Sequence, residues 1–204
     1  MQRLIVGISG ATGAIYGIRT LQMLRDIDDV EVHLVMTSAA RLTIMAETDY
    51  SIRQVQALAN VVHDIGDVGA TIASGSFRTL GMIVAPCSMR TLSAIVNSAS
   101  GNLLVRAADV VLKERRRLVL LPRETPLHLG HCRLLTSACE LGAILAPPVP
   151  AFYNRPTSID DLVNHTVGRV LDLFDIDAGA VQRWDGTHAA LATRTAAERV
   201  KSSG

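Results

Sequence analysis

The sequence predicts an α/β fold, with a single doubly wound, Rossmann-like (flavodoxin-like) parallel sheet that carries helices on both faces. Short apolar runs alternate with segments of helical periodicity, which is typical of such a sheet. The composition is aliphatic, with 49% hydrophobic and 3% aromatic residues. The length of 204 residues is about that of one domain with a substantial core.

Five apolar runs are the predicted strands of this sheet. They are LIVGI (4–8), VEVHLVM (30–36), GMIVAP (81–86), RLVLLP (117–122) and AILAPP (143–148). Helical periodicity between most of them predicts right-handed crossovers between parallel strands. Two later helices are predicted over 102–117 and 159–174, with Asn102 and Ser158 as their N-caps. The stretch 51–78 is less regular, and no strand is predicted in it.

Composition also limits the domain organisation and the partners. Residues 1–184 are predicted to form one domain, and residues 185–204 a flexible tail, because the tail has little apolar mass. The net charge of +1 gives no global attraction to nucleic acid or to an anionic membrane. The N-terminus lacks the apolar core of a signal peptide, and no apolar run is long enough to span a membrane. Three cysteines without a C-x-x-C motif fit a reduced compartment, so we expect a cytoplasmic protein.

Small and polar residues follow the first four predicted strands. The segments are SGATG, TSAAR, CSMRT and RETP, in chain order. In open α/β sheets, ligands bind at the carboxyl ends of the strands, where such segments meet. The sequence therefore predicts a ligand site along this edge of the sheet.

The glycine-rich turn GISGATGAIYG (7–17) leads from the first strand into a helix. Glycine lets the backbone approach an anion closely, and a helix N-terminus favours phosphate. Its spacing is G-x-x-G-x-x-G rather than the G-x-G-x-x-G of dinucleotide sites, so a turn without a ligand is equally compatible. Thr37 and Ser38 stand where an NAD-binding fold places an acidic residue, which favours a mononucleotide or a flavin over an NAD-dependent oxidoreductase.

Charged residues near the predicted edge are candidates for chemistry. Arg123 and Glu124 end the fourth strand between two prolines, where the arginine can hold phosphate and the glutamate can exchange a proton in a semi-buried pocket. Arg123 and Glu124 could instead form ion pairs on the surface. Glu47 is a second carboxylate candidate, for which a catalytic role and a surface ion pair are likewise both open. Arg106 and Lys113 are seven residues apart and share one face of the helix predicted over 102–117.

Histidines and cysteines give weaker signals. His128 and His131 have the i, i+3 spacing of metal ligands, but no third ligand has a matching position, so no metal site is expected. Cys87 has no histidine partner in the sequence pattern. A small packed thiol is therefore expected there rather than a nucleophile.

Several motifs together resemble one family. In this order and near these spacings, GISGATGAIYG, AETD, PCSMRTL, RAADVVLKERR, LVLLPRETPLHLGH and PPVPAFYNRP resemble the UbiX/Pad-type flavin prenyltransferases, from about Leu4 to Trp184. The resemblance implies a metal-independent enzyme that joins the dimethylallyl group of dimethylallyl phosphate to N5 and C6 of reduced FMN. The product, prenylated FMN, would serve a UbiD-type decarboxylase in ubiquinone synthesis or aromatic acid decarboxylation. Members of the family form homo-oligomers, often dodecamers, with active sites at subunit contacts.

The resemblance also implies roles for individual residues. The positions that match FMN contacts are Gly10, Ala11, Thr12, Thr37, Ser88, Met89, Arg90, Thr91 and Arg123. The positions that match the prenyl donor site are Arg106, Lys113, Tyr153 and Arg169, with Trp184 as a wall of the prenyl pocket. Glu47 and Glu124 match the catalytic carboxylates of the family, and Lys113 is expected to be a third catalytic residue. Thr12 and Arg90 replace the serine and lysine of many members but keep the hydroxyl and the charge.

Two alternatives share parts of this pattern. An FMN-dependent cysteine-type decarboxylase of the same superfamily would have a similar glycine turn. That class relies on a catalytic histidine and a PASANT-like segment, whereas this chain has PCSMRT. A non-catalytic flavin carrier for a decarboxylase would need the FMN site, but not Lys113, Glu124, Tyr153 and Arg169 together.

Overall fold

A six-stranded, all-parallel sheet forms the centre of the protein. The structure is a computed structural model that describes residues 1–184, 186 and 187. The strands are β1 (Gln2–Ile8), β2 (Val30–Met36), β3 (Val61–His63), β4 (Gly81–Cys87), β5 (Arg117–Pro122) and β6 (Ile144–Leu145). Their order is β3-β2-β1-β4-β5-β6, which is the order of doubly wound Rossmann sheets. The predicted fold class is confirmed.

Seven α-helices and a short 3-10 helix (Thr71–Ala73) lie between or after the strands in the described part of the chain. The helices are α1 (Ala14–Arg25), α2 (Ser38–Glu47), α3 (Ile52–Gln56), α4 (Met89–Val96), α5 (Leu103–Lys113), α6 (Leu129–Glu140) and α7 (Ile159–Asp172). Helices α1, α2, α3 and α7 pack in the core cluster on one face of the sheet. Helices α4, α5 and α6 pack in the cluster on the other face.

Coverage of both faces explains the continuous apolar strands. β4 is buried at all of its positions, and β1 is buried from Leu4 to Ile8. Burial of a leucine or isoleucine side chain stabilises a fold by about 1.5–3 kcal/mol, so a strand between two helix layers favours such residues throughout. These are the strands that the sequence predicts most clearly.

The structure corrects several predicted boundaries. β3 lies within the stretch where no strand is predicted; it has three partly exposed residues at the sheet edge, too few for a periodic signal. Helix α5 ends at Lys113 rather than at residue 117, because Arg115 has a φ of 56° and Arg117 begins β5. Helix α7 ends at Asp172 rather than at residue 174. The predicted tail lies outside the described residues, except for Gly186 and Thr187.

The point where the strand order reverses lies between β1 and β4. Ser9, just after β1, donates its hydroxyl hydrogen to the Pro86 carbonyl at 2.9 Å and accepts the backbone N–H of Ser88 at 2.8 Å. These bonds hold the two strand ends together at the carboxyl edge, where ligands bind in doubly wound sheets. Among the helices that the structure describes, none is long and apolar enough to cross a membrane.

Candidate active site

A cleft of about 480 Å³ opens above the carboxyl ends of β1, β2 and β4. We call it the switch-point cleft. It brings together predicted FMN residues from three separate turns. They are Gly10, Thr37, Ser88, Arg90 and Thr91. These residues meet at the carboxyl ends of the strands, where the sequence predicted a ligand site.

Three helices begin at the switch-point cleft, and each has a side-chain N-cap. Thr37 accepts the N–H of Ala40 at 3.1 Å, and Ser88 accepts the N–H of Thr91 at 3.2 Å. Asn102 caps α5 in the same way, as the sequence predicted. The positive ends of three helix dipoles thus converge on one cleft, which favours an anion or a chain of hydroxyls.

Gly10 is required by packing at the base of this cleft. A Cβ at Gly10 would lie 2.4 Å from the Cβ of Ala39 in α2, closer than side-chain atoms approach one another. Gly13 has a φ of 93°, a left-handed conformation that suits glycine. The glycine turn therefore serves a tight strand-to-helix connection and also forms part of the cleft.

The N-terminus of α1 is occupied by a carboxylate of the protein itself. Glu47 Oε2 accepts the backbone N–H of Gly13 at 2.8 Å and that of Ala14 at 3.1 Å. Gly13 has no side chain with which to cap the helix, so Glu47 from the end of α2 provides the cap. The position at which the glycine turn could hold phosphate is filled, which directs an anionic ligand to the other three helix N-termini.

A second cleft, of about 370 Å³, lies between the glycine turn and the end of β5. We call it the Arg123 cleft. It is lined by Thr12, Arg123 and Glu124, with Pro147 and Val149 on the far side. Arg123 donates its backbone N–H to the Cys87 carbonyl at 3.2 Å, which fixes the end of β5 beside β4.

Arg123 and Glu124 are both exposed, so Glu124 does not have the semi-buried environment that the sequence suggested. Neither side chain forms an ion pair with another residue that the structure describes. Glu124 only accepts the backbone N–H of Thr125 at 3.2 Å. Both groups therefore face the Arg123 cleft and solvent without a competing charged partner in the described chain.

A third cleft, of about 450 Å³, lies between β6 and α7. We call it the α7 cleft. It holds Tyr153 and Arg169, and Trp184 packs edge-to-face on Tyr153 with ring centroids 5.5 Å apart. Its walls are mostly apolar; they include Ile144, Leu145, Ala146, Val170 and Leu173. Because Pro147 and Val149 line both this cleft and the Arg123 cleft, the two are neighbours.

Polar contacts within the α7 cleft involve a residue that the sequence did not single out. The Tyr153 hydroxyl lies 3.1 Å from His165 Nε2 and donates to the Gln182 carbonyl at 3.2 Å. His165 precedes Arg169 by four residues, so both lie on one face of α7. This four-residue spacing from Arg169 is the one sequence pattern that could have pointed to His165. Burial, and then the charge of Arg169, lower the pKa of His165.

Asp172 holds Arg169 in place. The Arg169 guanidinium donates to Asp172 Oδ2 at 2.5 Å, and Arg183 donates to Oδ1 of the same carboxylate at 3.0 Å. The hydrogen bond from Arg183, and then that from Arg169, lower the pKa of Asp172. Arg169 is therefore oriented by a carboxylate but remains about half exposed.

Two predicted donor-site residues lie apart from these clefts. Lys113 ends α5 and contacts Glu114, on the side of the sheet where β5 begins. Asn102, at the other end of α5, lines the switch-point cleft; with 11 residues at about 1.5 Å each, the helix is roughly 16 Å long. Arg106 pairs with Asp109 at 2.9 Å and lines none of the three clefts.

Ala11, Met89 and Cys87 are the remaining residues that the sequence analysis singled out near the predicted site. Ala11 lies in the glycine turn between Gly10 and Thr12, and Met89 is the first residue of α4, where it packs on the core. Burial raises the pKa of the Cys87 thiol to about 12, which confirms the packed thiol and excludes a thiolate nucleophile near neutral pH.

The histidine pair of α6 also has a structural place. His128 caps α6 by accepting the N–H of Gly130 at 3.0 Å. Across the residues described, no three His, Cys, Asp or Glu side chains are grouped to hold a metal.

Comparisons with known proteins identify the family. The Flavoprotein family model matches residues 1–171. Flavin prenyltransferase UbiX of Escherichia coli K12 is 64% identical over 188 residues, covering 91% of this chain and 100% of that protein. The crystal structure of AnUbiX with FMN and dimethylallyl pyrophosphate is 53% identical, with a TM-score of 0.89 over 91% of this chain and 98% of that one. A dodecameric FMN-dependent UbiX-like decarboxylase from Escherichia coli O157:H7 is 52% identical, with a TM-score of 0.89 over 91% and 100% of the two chains. The chain therefore belongs to the UbiX flavin prenyltransferase family of flavoproteins.

Proposed function

We propose that this protein transfers the dimethylallyl group of dimethylallyl phosphate to N5 and C6 of reduced FMN and releases prenylated FMN. One observation carries the proposal. The protein has a cleft rich in hydroxyls and helix N-termini at the carboxyl ends of the strands and an apolar cleft with a tyrosine and an arginine beside β6, and the Arg123 cleft adjoins the second of them. The first fits a flavin mononucleotide, and the second fits a short prenyl phosphate.

The switch-point cleft would hold the phosphate and ribityl chain of FMN. Thr37, Ser88 and Asn102 present helix N-termini there, and Arg90 adds a cation. The close contact of Gly10 with Ala39 keeps the base of the cleft free of a side chain. Thr12 and Arg123, in the adjoining turn and cleft, would continue the contact with the flavin ring.

The α7 cleft would hold the prenyl donor. Cleavage of the allylic C–O bond places positive charge on the prenyl fragment and negative charge on the departing phosphate. Arg169 and the Tyr153 hydroxyl would bind the phosphate, where their charge and hydrogen bond stabilise the developing anion. The apolar walls, with the aromatic rings of Tyr153 and Trp184 nearby, would suit the prenyl cation.

Glu124 would exchange a proton with the leaving phosphate. It lies in the Arg123 cleft, next to the α7 cleft, and has no charged partner in the described chain. Glu47, the other carboxylate that the family resemblance marks as catalytic, would transfer the proton on the flavin side. Its two hydrogen bonds to α1 give it a structural role as well.

A homo-oligomer, of dodecamer size, would complete the site. Within one chain Lys113 lies about one helix length from the switch-point cleft, so a neighbouring subunit would supply it, with Arg106 close by. Exposed apolar side chains support subunit contacts. They include Leu42, Met45, Leu129, Val149, Phe152 and Ile159. The dodecameric relative supports the same assembly.

The product would pass to a UbiD-type decarboxylase, in ubiquinone synthesis or in decarboxylation of an aromatic acid. All three cysteines are unpaired, which supports a cytoplasmic location. A flavin carrier or a cysteine-type decarboxylase is the alternative. A carrier needs no second cleft with Tyr153 and Arg169, and that cleft favours the transferase.

The test is anaerobic incubation of the purified protein with reduced FMN and either dimethylallyl phosphate or dimethylallyl pyrophosphate. Mass analysis of the released flavin then reports the reaction. We expect a gain of one C5H8 unit with the monophosphate. A gain with the pyrophosphate alone would correct the donor, and unmodified flavin with both donors would reject the transferase.

A further inference from the structure

His165 is a buried histidine with one hydrogen-bond partner in the α7 cleft. Its side chain is 6% exposed, and its Nε2 lies 3.1 Å from the Tyr153 hydroxyl oxygen. Its Nδ1 is buried and has no hydrogen-bond partner among the described residues. The ring packs edge-to-face on Tyr153, with centroids 5.4 Å apart. His165 thus lines the α7 cleft beside Tyr153, and its one side-chain hydrogen bond within the described part of the chain is to the Tyr153 hydroxyl.

The surroundings decide which ring nitrogen carries the hydrogen. A proton on Nδ1 would be a buried donor without an acceptor, which proteins rarely tolerate. A proton on Nε2 points at the Tyr153 oxygen, and the Tyr153 O–H is then free to donate to the Gln182 carbonyl at 3.2 Å. This tautomer satisfies both contacts at once, whereas the other leaves the Gln182 carbonyl without that hydrogen.

The direction of this chain of hydrogen bonds makes Tyr153 a donor. With His165 donating to its oxygen, the hydroxyl hydrogen must point away from the histidine. A phosphate oxygen is a stronger acceptor than the carbonyl of Gln182, and the O–H can turn to it without movement of the ring. Trp184 and His165 both pack edge-on against Tyr153 and keep that ring in place.

We propose that His165 is a positioning residue, which donates from Nε2 to the Tyr153 oxygen and so presents the tyrosine O–H to the phosphate of the prenyl donor. The inference rests on the proposed function, in which Tyr153 binds that phosphate. In this role His165 acts on the phosphate through Tyr153 rather than as a ligand of its own. Burial, and then the charge of Arg169, lower the pKa of His165 against the opposing charge of Asp172, which favours the neutral ring that this hydrogen-bond pattern requires.

The test compares two amide substitutions with a tyrosine variant. His165→Gln places an amide N–H near the position of Nε2, whereas His165→Asn places its amide near Nδ1 and removes the donor to Tyr153. We expect His165→Asn to raise the KM for dimethylallyl phosphate about tenfold, with kcat and the Kd for FMN nearly unchanged. His165→Gln should stay within about threefold of wild type. In a Tyr153→Phe background, His165→Asn should add no further loss.

Binding is measured separately from turnover. The proposed reaction needs reduced flavin, so calorimetric titration of the oxidised FMN complex with dimethylallyl phosphate reports affinity alone. The Kd should follow the same order as the KM. Should His165→Asn prove unstable, His165→Leu removes the donor with an apolar side chain of similar size, and the expectations are the same.

The inference would be overturned, while the proposed function stands, by a large effect of Tyr153→Phe with none of His165→Asn, or by losses that add in the double variant. Unchanged donor binding in Tyr153→Phe would instead reject Tyr153 as a phosphate ligand, and with it this part of the proposed function. A loss of FMN binding in His165→Asn would show a general disturbance of the fold and would also overturn the inference.

Discussion

Glu47 is hydrogen-bonded to Gly13: its Oε2 accepts the glycine N–H at 2.8 Å across a separation of 34 residues. The bond joins the end of α2 to the start of α1 and holds the glycine turn from outside. It also places a negative charge where the α1 dipole is most positive. The turn therefore reaches its conformation without a bound phosphate, and FMN would bind at the neighbouring helix ends.

Substitution of Glu47 should reduce stability as well as activity. Glu47→Ala removes the cap of α1, so we expect the free energy of unfolding to fall by about 1 kcal/mol. Glu47→Gln keeps an oxygen acceptor and should lose about half as much. Urea denaturation measures the free energy of unfolding of both variants, and Asp49→Ala, at an exposed position, is the control. Full stability with abolished turnover would show that Glu47 acts only in proton transfer.

Gly10→Ala should weaken FMN binding. The new Cβ would lie 2.4 Å from the Ala39 Cβ, so α2 or the turn must move at the base of the cleft. We expect the Kd for FMN to rise about tenfold or more, as measured by flavin fluorescence. Gly101→Ala is the control, because the nearest atom to its Cβ is 3.9 Å away. Equal affinities for both variants would place the flavin away from Gly10.

A comparison of Ser88 and Ser158 variants distinguishes the effect of helix capping from that of ligand binding. Both cap a helix, but only Ser88 lines the switch-point cleft. Each serine-to-alanine variant should lose about 1 kcal/mol of stability in thermal or urea unfolding. Only Ser88→Ala should also weaken FMN binding, by about five- to tenfold. A weakened Kd in Ser158→Ala would indicate that loss of a cap alone disturbs the site.

Mixed oligomers test whether Lys113 acts in a neighbouring subunit. Lys113→Ala and Glu124→Gln subunits should each form inactive oligomers. Co-expressed at equal levels, they should recover about a quarter of wild-type activity, because some sites then receive both intact residues from different chains. A mixture of Arg123→Ala with Glu124→Gln should recover none, since both residues line one cleft of one chain. Failure of the first mixture would place Lys113 in its own chain's site.

The histidine pair His33 and His63 should make stability depend on pH. His33 Nδ1 lies 2.9 Å from His63 Nε2, and burial is the largest cause that lowers the pKa of each. For His33, Glu31 opposes burial and Arg3 adds to it. For His63, the charge of His33 adds to burial and Asp67 opposes it.

The sign follows from the lowered pKa values. The unfolded chain takes up protons near pH 6.5, before the folded one does, so stability is full above about pH 6.5 and falls as the pH falls towards the folded pKa. Urea unfolding between pH 7.5 and 5.5 should show this loss. His63→Gln should reduce the slope, and an unchanged slope would contradict a contribution from the pair.

Patterns local in the sequence predicted much of the fold and of the switch-point cleft. Four of the apolar runs are strands of about the predicted length because both faces of the sheet are covered, whereas the fifth (143–148) forms only the two-residue β6 at the sheet edge. The residues after the strands meet because parallel strands end at one edge. β3 was missed because three partly exposed residues carry no periodic signal. The capping roles of Asn102 and Ser158 follow from the residue types alone.

Contacts between distant elements could not be predicted in this way. The hydrogen bond from the start of α1 to Glu47 joins residues 34 positions apart, and no periodic pattern in the sequence predicts a contact over that distance. His165 was missed because a lone histidine on an amphipathic helix does not differ from a core residue until Tyr153 is placed beside it. Lys113 lies far from the switch-point cleft because the 11 residues of α5 separate it from Asn102, and the helical pattern by itself does not show which end of the helix lies at the cleft.

The most direct test of the proposed reaction is the mass of the flavin released after anaerobic incubation of the protein with reduced FMN and dimethylallyl phosphate. The account predicts a flavin heavier by one C5H8 unit from wild type and a strongly reduced yield from Glu124→Gln. Unmodified FMN from a wild-type protein that binds both compounds would contradict it and would leave a flavin carrier or a decarboxylase as the function.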